Sequence, residues 1–235
     1  MKVIQPNCRM QFTAEDVDFI VRVLAGKSND LETLVQLLTD EQSRDLILDN
    51  ERLYRALLEL RGCLKVSTRF YFYILVRHVF RKAGIEDRAV ADYVAEMLAE
   101  FSRDEPNSSL NRGRGGRFHY LYDMLAALEN ADDRARFMIR AHIGNHSLFF
   151  TGIFPASIQS RAEIRGGPDL KYYEELGRSN FRMASDHRLA QRYDLAEIFN
   201  TLGTKFESTR RALNDMTERL LSIGDLDPGG FWQRW

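Results

Sequence analysis

The chain has 235 residues, 44% of them hydrophobic and 29% charged, with a formal net charge of -1. That composition excludes an intrinsically disordered chain, and a length of this order lets one domain bury roughly 70% of its unfolded surface without disulfide or metal support. The near-zero charge excludes whole-molecule attraction to nucleic acid or anionic lipid.

Only five prolines occur, and the stretches between them repeat apolar residues at helical spacing, so an all-α chain is expected. "FTAEDVDFIVRVLAG" opens with Thr13 three residues before Asp16, a capping arrangement, and closes at Gly26. Val17, Ile20, Val21 and Leu24 form its apolar stripe. Asp30 and Asp40 are placed to cap two further short helices, and a fourth carries Leu53, Leu57, Leu58 and Leu60 up to Gly62.

"STRFYFYILVRHVFRKAG" is rich in aromatics, but its apolar residues do not alternate with polar ones, which argues against a strand. Ser67 is placed to cap a helix, Lys82 complements its dipole and Gly84 ends it. Being apolar almost all round, the segment at 67–83 is expected at the centre of the domain. Its apolar run is broken by Arg77 and His78 well short of the ~20 residues that cross a bilayer. "EDRAVADYVAEMLAEFS" continues with a stripe from Val90 to Phe101.

Residues 103–117, "RDEPNSSLNRGRGGR", read as a loop. The segment divides the chain into a helical region at 1–102 and another at 118–224, followed by a tail at 225–235, and a single domain accommodates such a loop. Beyond it, the stripe Leu170, Tyr173, Gly177, Phe181 and Ala184 marks a helix whose glycine allows close approach of a neighbour, and the last helical stretch is expected to break near Gly203. The architecture expected is one all-α domain, a multi-helix bundle of about nine to eleven helices in two layers.

Charge is uneven along the chain. Thr13 to Leu60 carries 11 acidic against 5 basic residues, whereas Arg61 to Arg88 carries 7 basic against 2 acidic. Neighbouring segments of opposite sign are expected to complement each other within the fold. The only cysteines, Cys8 and Cys63, form no CxxC pair and follow no leader-like segment, so reduced thiols in a soluble cytoplasmic protein are expected.

Three places could carry chemistry. In "HIGNHSLFFTGIFP", His142 and His146 would share a face of a continuous helix, as two imidazoles on one metal do. Gly144-Asn145 instead suggests a helix end and a turn, with Asn145 or Ser147 capping the next segment. No HExxH and no Glu three residues before a His occurs, so no metal and no cofactor is expected. Arg77 inside the central helix needs a partner if buried, and Glu174, Glu175 and Asp186 are candidates. A functional reading gathers Arg77, His78, His142, His146 and Glu175 around a polar pocket for a small anionic ligand. In "NRGRGGRFHY", Arg112, Arg114 and Arg117 stand among glycines beside aromatics, a pattern compatible with nucleic acid but matching no phosphate-binding loop.

The function expected is therefore binding, of a protein partner, a second copy or a small anionic ligand. The alternatives are a helical enzyme using a metal or other cofactor near His78 and the His142/His146 pair, and nucleic-acid binding through 112–120.

Overall fold

A computed structural model describes residues 3–25, 30–59, 66–103 and 121–222. Every secondary-structure element among them is helical. After a 3-10 turn at Cys8–Gln11 come α1 (Ala14–Leu24), α2 (Asp30–Thr39), α3 (Glu41–Leu48), α4 (Glu51–Glu59), α5 (Thr68–Lys82) and α6 (Arg88–Arg103). The second half holds α7 (121–127), α8 (Asp133–Ile153), α9 (Pro155–Arg165), α10 (Leu170–Ser185), α11 (Arg188–Arg192), α12 (Ala196–Thr204) and α13 (Phe206–Ser222).

The start of α1 and the start of α5 are tied by one buried carboxylate. Thr13 and Asp16 form the expected capping box, the Thr13 N–H donating to Asp16 Oδ2 at 2.8 Å. Asp16 also accepts from the Ser67 N–H and hydroxyl, each at 2.6 Å, while Ser67 Oγ accepts from the Phe70 N–H and so caps α5. A cap written for one helix thereby fixes the entry of the next. At the other end of α5, Gly84 turns the chain at φ +73°, a conformation that favours glycine.

Phe70 through Arg77, with Val79 and Phe80, are buried on α5, as its all-round apolar sequence required. α5 packs on α6, α8 packs on α10, and α12 and α13 join the two pairs, α12 against α6 and α10, α13 against α5 and α8. Among the described residues, no helix is long and apolar enough to cross a membrane.

One local expectation needs correction: α8 runs unbroken through Gly144-Asn145. Gly144 is there for packing: a Cβ on it would stand 2.8 Å from the Phe181 ring of α10. The Asn145 side chain serves a tertiary contact, its Oδ1 accepting from the buried Tyr93 hydroxyl at 2.9 Å. The chain breaks instead before Pro155, which opens α9. Proline has no N–H for the Thr151 carbonyl, and Asn214 of α13 supplies the missing donor, its Nδ2 lying 2.8 Å from Thr151 O and 2.7 Å from Gly152 O.

The break expected near Gly203 is present, at Lys205 between α12 and α13. Gly203 itself is helical, and its lack of a side chain leaves room for Arg182, whose Cγ would lie 2.8 Å from an added Cβ. The loop at 103–117 beyond Arg103, and the tail at 225–235, lie outside the described residues.

Candidate functional site

Arg77 is only 2% exposed, and its guanidinium is fully engaged. Nε donates to Asp49 Oδ1 at 2.7 Å, Nη2 to Asp49 Oδ2 at 3.1 Å, and Nη1 to the Glu86 carbonyl at 2.7 Å. Arg88 donates to the same Asp49 Oδ2 at 2.6 Å and reaches Asp45 at 3.2 Å. Asp45 in turn pairs with Arg9 at 2.7 Å, and Arg9 with the buried Asp92 at 2.9 Å. Burial works against ionisation of Asp49, and the Arg77, Arg88 and Arg81 guanidiniums outweigh it, holding this carboxyl below the ordinary range.

The acidic stretch and the basic stretch thus meet as an internal ion network, with Asp45 and Asp49 from one and Arg77, Arg81 and Arg88 from the other. The partner expected for Arg77 on α10 is corrected by this geometry. Glu174 pairs with Arg210, while Glu175 is exposed.

His78 faces a different neighbourhood from Arg77, one step round α5. Its ring stacks on Tyr54 of α4 with centroids 3.6 Å apart and planes 9° from parallel. Its Nε2 is sealed from solvent without a hydrogen-bond partner, and the equally buried Tyr54 hydroxyl lies against the Arg219 side chain. Burial, then the charges of Lys82, Arg219 and Arg81 against the opposing Glu51, push His78 down to about 4.

Beside this stack lies an open cleft of about 240 Å³ between the end of α5 and the outer face of α13. Lys82, Arg211 and Arg219 line it together with Ser208 and Asp215, over apolar atoms of Val79 and Ala212. Arg211, Asp215 and Arg219 stand at successive i,i+4 positions, which brings them to one face of α13. Arg211 is engaged with Glu207 at 2.5 Å. Among the described residues, no carboxylate pairs with Lys82 or Arg219, although Arg219 lies close enough to the Tyr54 hydroxyl to favour its ionisation. The cleft therefore presents three cations and one carboxylate, two of the cations without an ion-pair partner among the described residues.

His142 and His146 share a face of the unbroken α8. The His142 ring lies 5.8 Å from Phe101 of α6, and His146, 2% exposed, lies 4.3 Å from Phe150. Of the five residues expected around one pocket, His78 is beside the cleft, Arg77 is committed to Asp49, the two α8 histidines pack on aromatic rings and Glu175 is exposed. Arg112, Arg114 and Arg117 lie outside the described residues. Among those described, no group of three or more His, Cys, Asp or Glu is arranged to hold a metal ion.

The sequence marks Lys82 only as a complement to the helix dipole and does not single out Tyr54, Arg211 or Arg219. The i,i+4 series on α13 was readable, but nothing in the chain announced that this face meets the end of α5.

The two partly buried histidines make stability depend on pH. Burial is the main cause that lowers both His78 and His142 to about 4, against 6.5 for an ordinary imidazole. Between these values the unfolded chain binds protons that the folded chain does not, so the stabilisation is present in full above 6.5 and declines as pH falls towards 4. Each histidine is expected to contribute on the order of 3 kcal/mol to that decline. Urea unfolding midpoints measured across this window should fall, and His78→Phe or His142→Phe should flatten the fall; an unchanged slope in both variants would assign it to other groups.

The chain matches no protein-family model, no curated protein and no solved structure, so its functional reading rests on the geometry of its own cleft.

Proposed function

We propose that this protein is a binding module whose α5–α13 cleft takes a small anionic ligand. The observation that carries the reading is the pair of cations, Lys82 and Arg219, that face the cleft without a carboxylate partner among the described residues, with Arg211 and the Ser208 hydroxyl beside them. Exposed cations without an ion pair occur elsewhere among the described residues, as at Arg52, Lys171 and Arg192; Lys82 and Arg219 differ in that two helices bring them to one cleft. An oxyanion in the cleft would accept charge-assisted hydrogen bonds from two helices at once, interactions of about twice the strength of neutral ones. Asp215 and the carbonyl end of α5 oppose an anion; with Arg211 engaged by Glu207, Lys82 and Arg219 are the cations that outweigh them.

Size narrows the ligand further. A cleft of about 240 Å³ is smaller than the ~300–1,000 Å³ typical of pockets that enclose a drug-sized molecule, so it suits an anionic headgroup such as a sulfate or phosphate group.

The test is calorimetric titration with sodium sulfate at low ionic strength. Binding is expected, weakened by about tenfold or more for each of Lys82→Ala and Arg219→Ala, in line with ~1.5–3 kcal/mol for a hydrogen bond to a charged group. Both side chains are exposed, so the helical circular dichroism should be retained in each variant. Sulfate binding that is absent, or unaffected by the two changes, would sink the reading.

A further inference from the structure

We infer that an anion entering the α5–α13 cleft brings a proton with it, taken from solvent onto the imidazole of His78. The inference rests on the anion-binding reading of the same cleft and adds a regulation to it, tighter binding in mildly acidic conditions.

The geometry begins with the stack. His78 lies flat on Tyr54 at 3.6 Å with its Nε2 sealed from solvent, so it has no water shell on that side to stabilise a charge. The charged groups around it come from three helices. Arg81 and Lys82 follow it on α5, Arg219 approaches from α13, and Glu51 opposes them from α4, where it also pairs with Arg55 at 2.9 Å. With the cleft empty, burial and the surplus of positive charge both disfavour the imidazolium, in keeping with its depressed pKa of about 4.

Lys82 and Arg219 are the groups that link the two sites, because they line the cleft and also repel a proton on His78. A dianion held between them cancels their field at the imidazole and adds an attraction of its own. Burial is unchanged by this, so the imidazole recovers part, and not all, of its ordinary basicity. Thermodynamic linkage then requires the reciprocal effect: protonating His78 tightens the anion by the same factor.

A rise of roughly two units in the imidazole pKa, which leaves it below its ordinary value, makes binding near pH 5 about tenfold tighter than near pH 7.5. Sulfate is the suitable probe, because it stays a dianion across this range whereas phosphate titrates within it. Titration calorimetry near pH 5 in two buffers of different ionisation enthalpy is expected to report uptake of nearly one proton per sulfate.

His78→Phe keeps an aromatic ring against Tyr54 and removes the titrating group. This variant is expected to bind sulfate with the same affinity near pH 5 and near pH 7.5 and to take up no proton. Wild-type binding that is equal at the two pH values and without proton uptake would overturn the coupling while leaving the anion site intact; pH-dependent binding that persists in His78→Phe would overturn the assignment to His78. Absence of sulfate binding at either pH would remove both the coupling and the anion site.

Discussion

Replacing Asp49 with alanine is expected to lower the unfolding free energy by about 3–5 kcal/mol, the usual cost of leaving a buried charge without its partner. Arg77 is 2% exposed and donates to both carboxylate oxygens of Asp49, while its third contact is to the Glu86 carbonyl, which carries no neutralising charge. Glu86 Oε2 stands 3.8 Å away on an exposed side chain and is a weak substitute. Removing Asp49 also releases Arg88, which loses its 2.6 Å contact. The double variant Asp49→Ala, Arg77→Met should recover much of the loss, because methionine occupies the site without a charge to solvate. Urea denaturation of the two single variants and the double variant measures this coupling; strict additivity would mean that Arg77 is satisfied without Asp49.

That ion network also shows where the sequence was legible. The opposed charge of the stretches at 13–60 and 61–88 forecast complementary packing, and Asp45 and Asp49 do meet Arg77, Arg81 and Arg88. The partner of Arg77 was misassigned because several carboxylates satisfied the same chemical need, and only the spatial order of helices selects among them. The ends of α5 were readable from Ser67 and Gly84, since caps act within a few residues of the chain.

Gly144-Asn145 misled for a definable reason. A glycine next to an asparagine is equally suited to ending a helix and to admitting a neighbouring helix while hydrogen-bonding across the core. Phe181 and Tyr93 decide for the second use, and both lie far from it in sequence. The cleft was hidden in the same way: its cations are ordinary surface residues on α5 and on α13, and they acquire meaning only when the two helices meet.

Gly177 is a position where local pattern and packing agree, and it carries the second large effect. The stripe to which it belongs is buried at Tyr173, Gly177, Phe181 and Ala184. A Cβ at Gly177 would overlap the ring of Phe206 and stand 2.9 Å from Ser147 Cβ, so it would be caught between the start of α13 and the middle of α8. Alanine is otherwise the better helix former by about 1 kcal/mol, and overpacking at a closed site costs up to ~3 kcal/mol, so Gly177→Ala is expected to destabilise by about 2 kcal/mol net. Phe206 is fully buried and cannot swing into solvent to relieve the clash. Phe206→Leu, itself destabilising, should reduce the penalty of Gly177→Ala when the two are combined, and a thermodynamic cycle on unfolding free energies measures that coupling. Because Phe206 opens the helix that carries Ser208, Arg211 and Arg219, relief of the clash by moving α13 would shift these groups relative to Lys82. Gly177→Ala should then weaken sulfate binding without touching a residue that lines the cleft, whereas unchanged affinity would mean that the strain is absorbed on the α8 side, at Ser147.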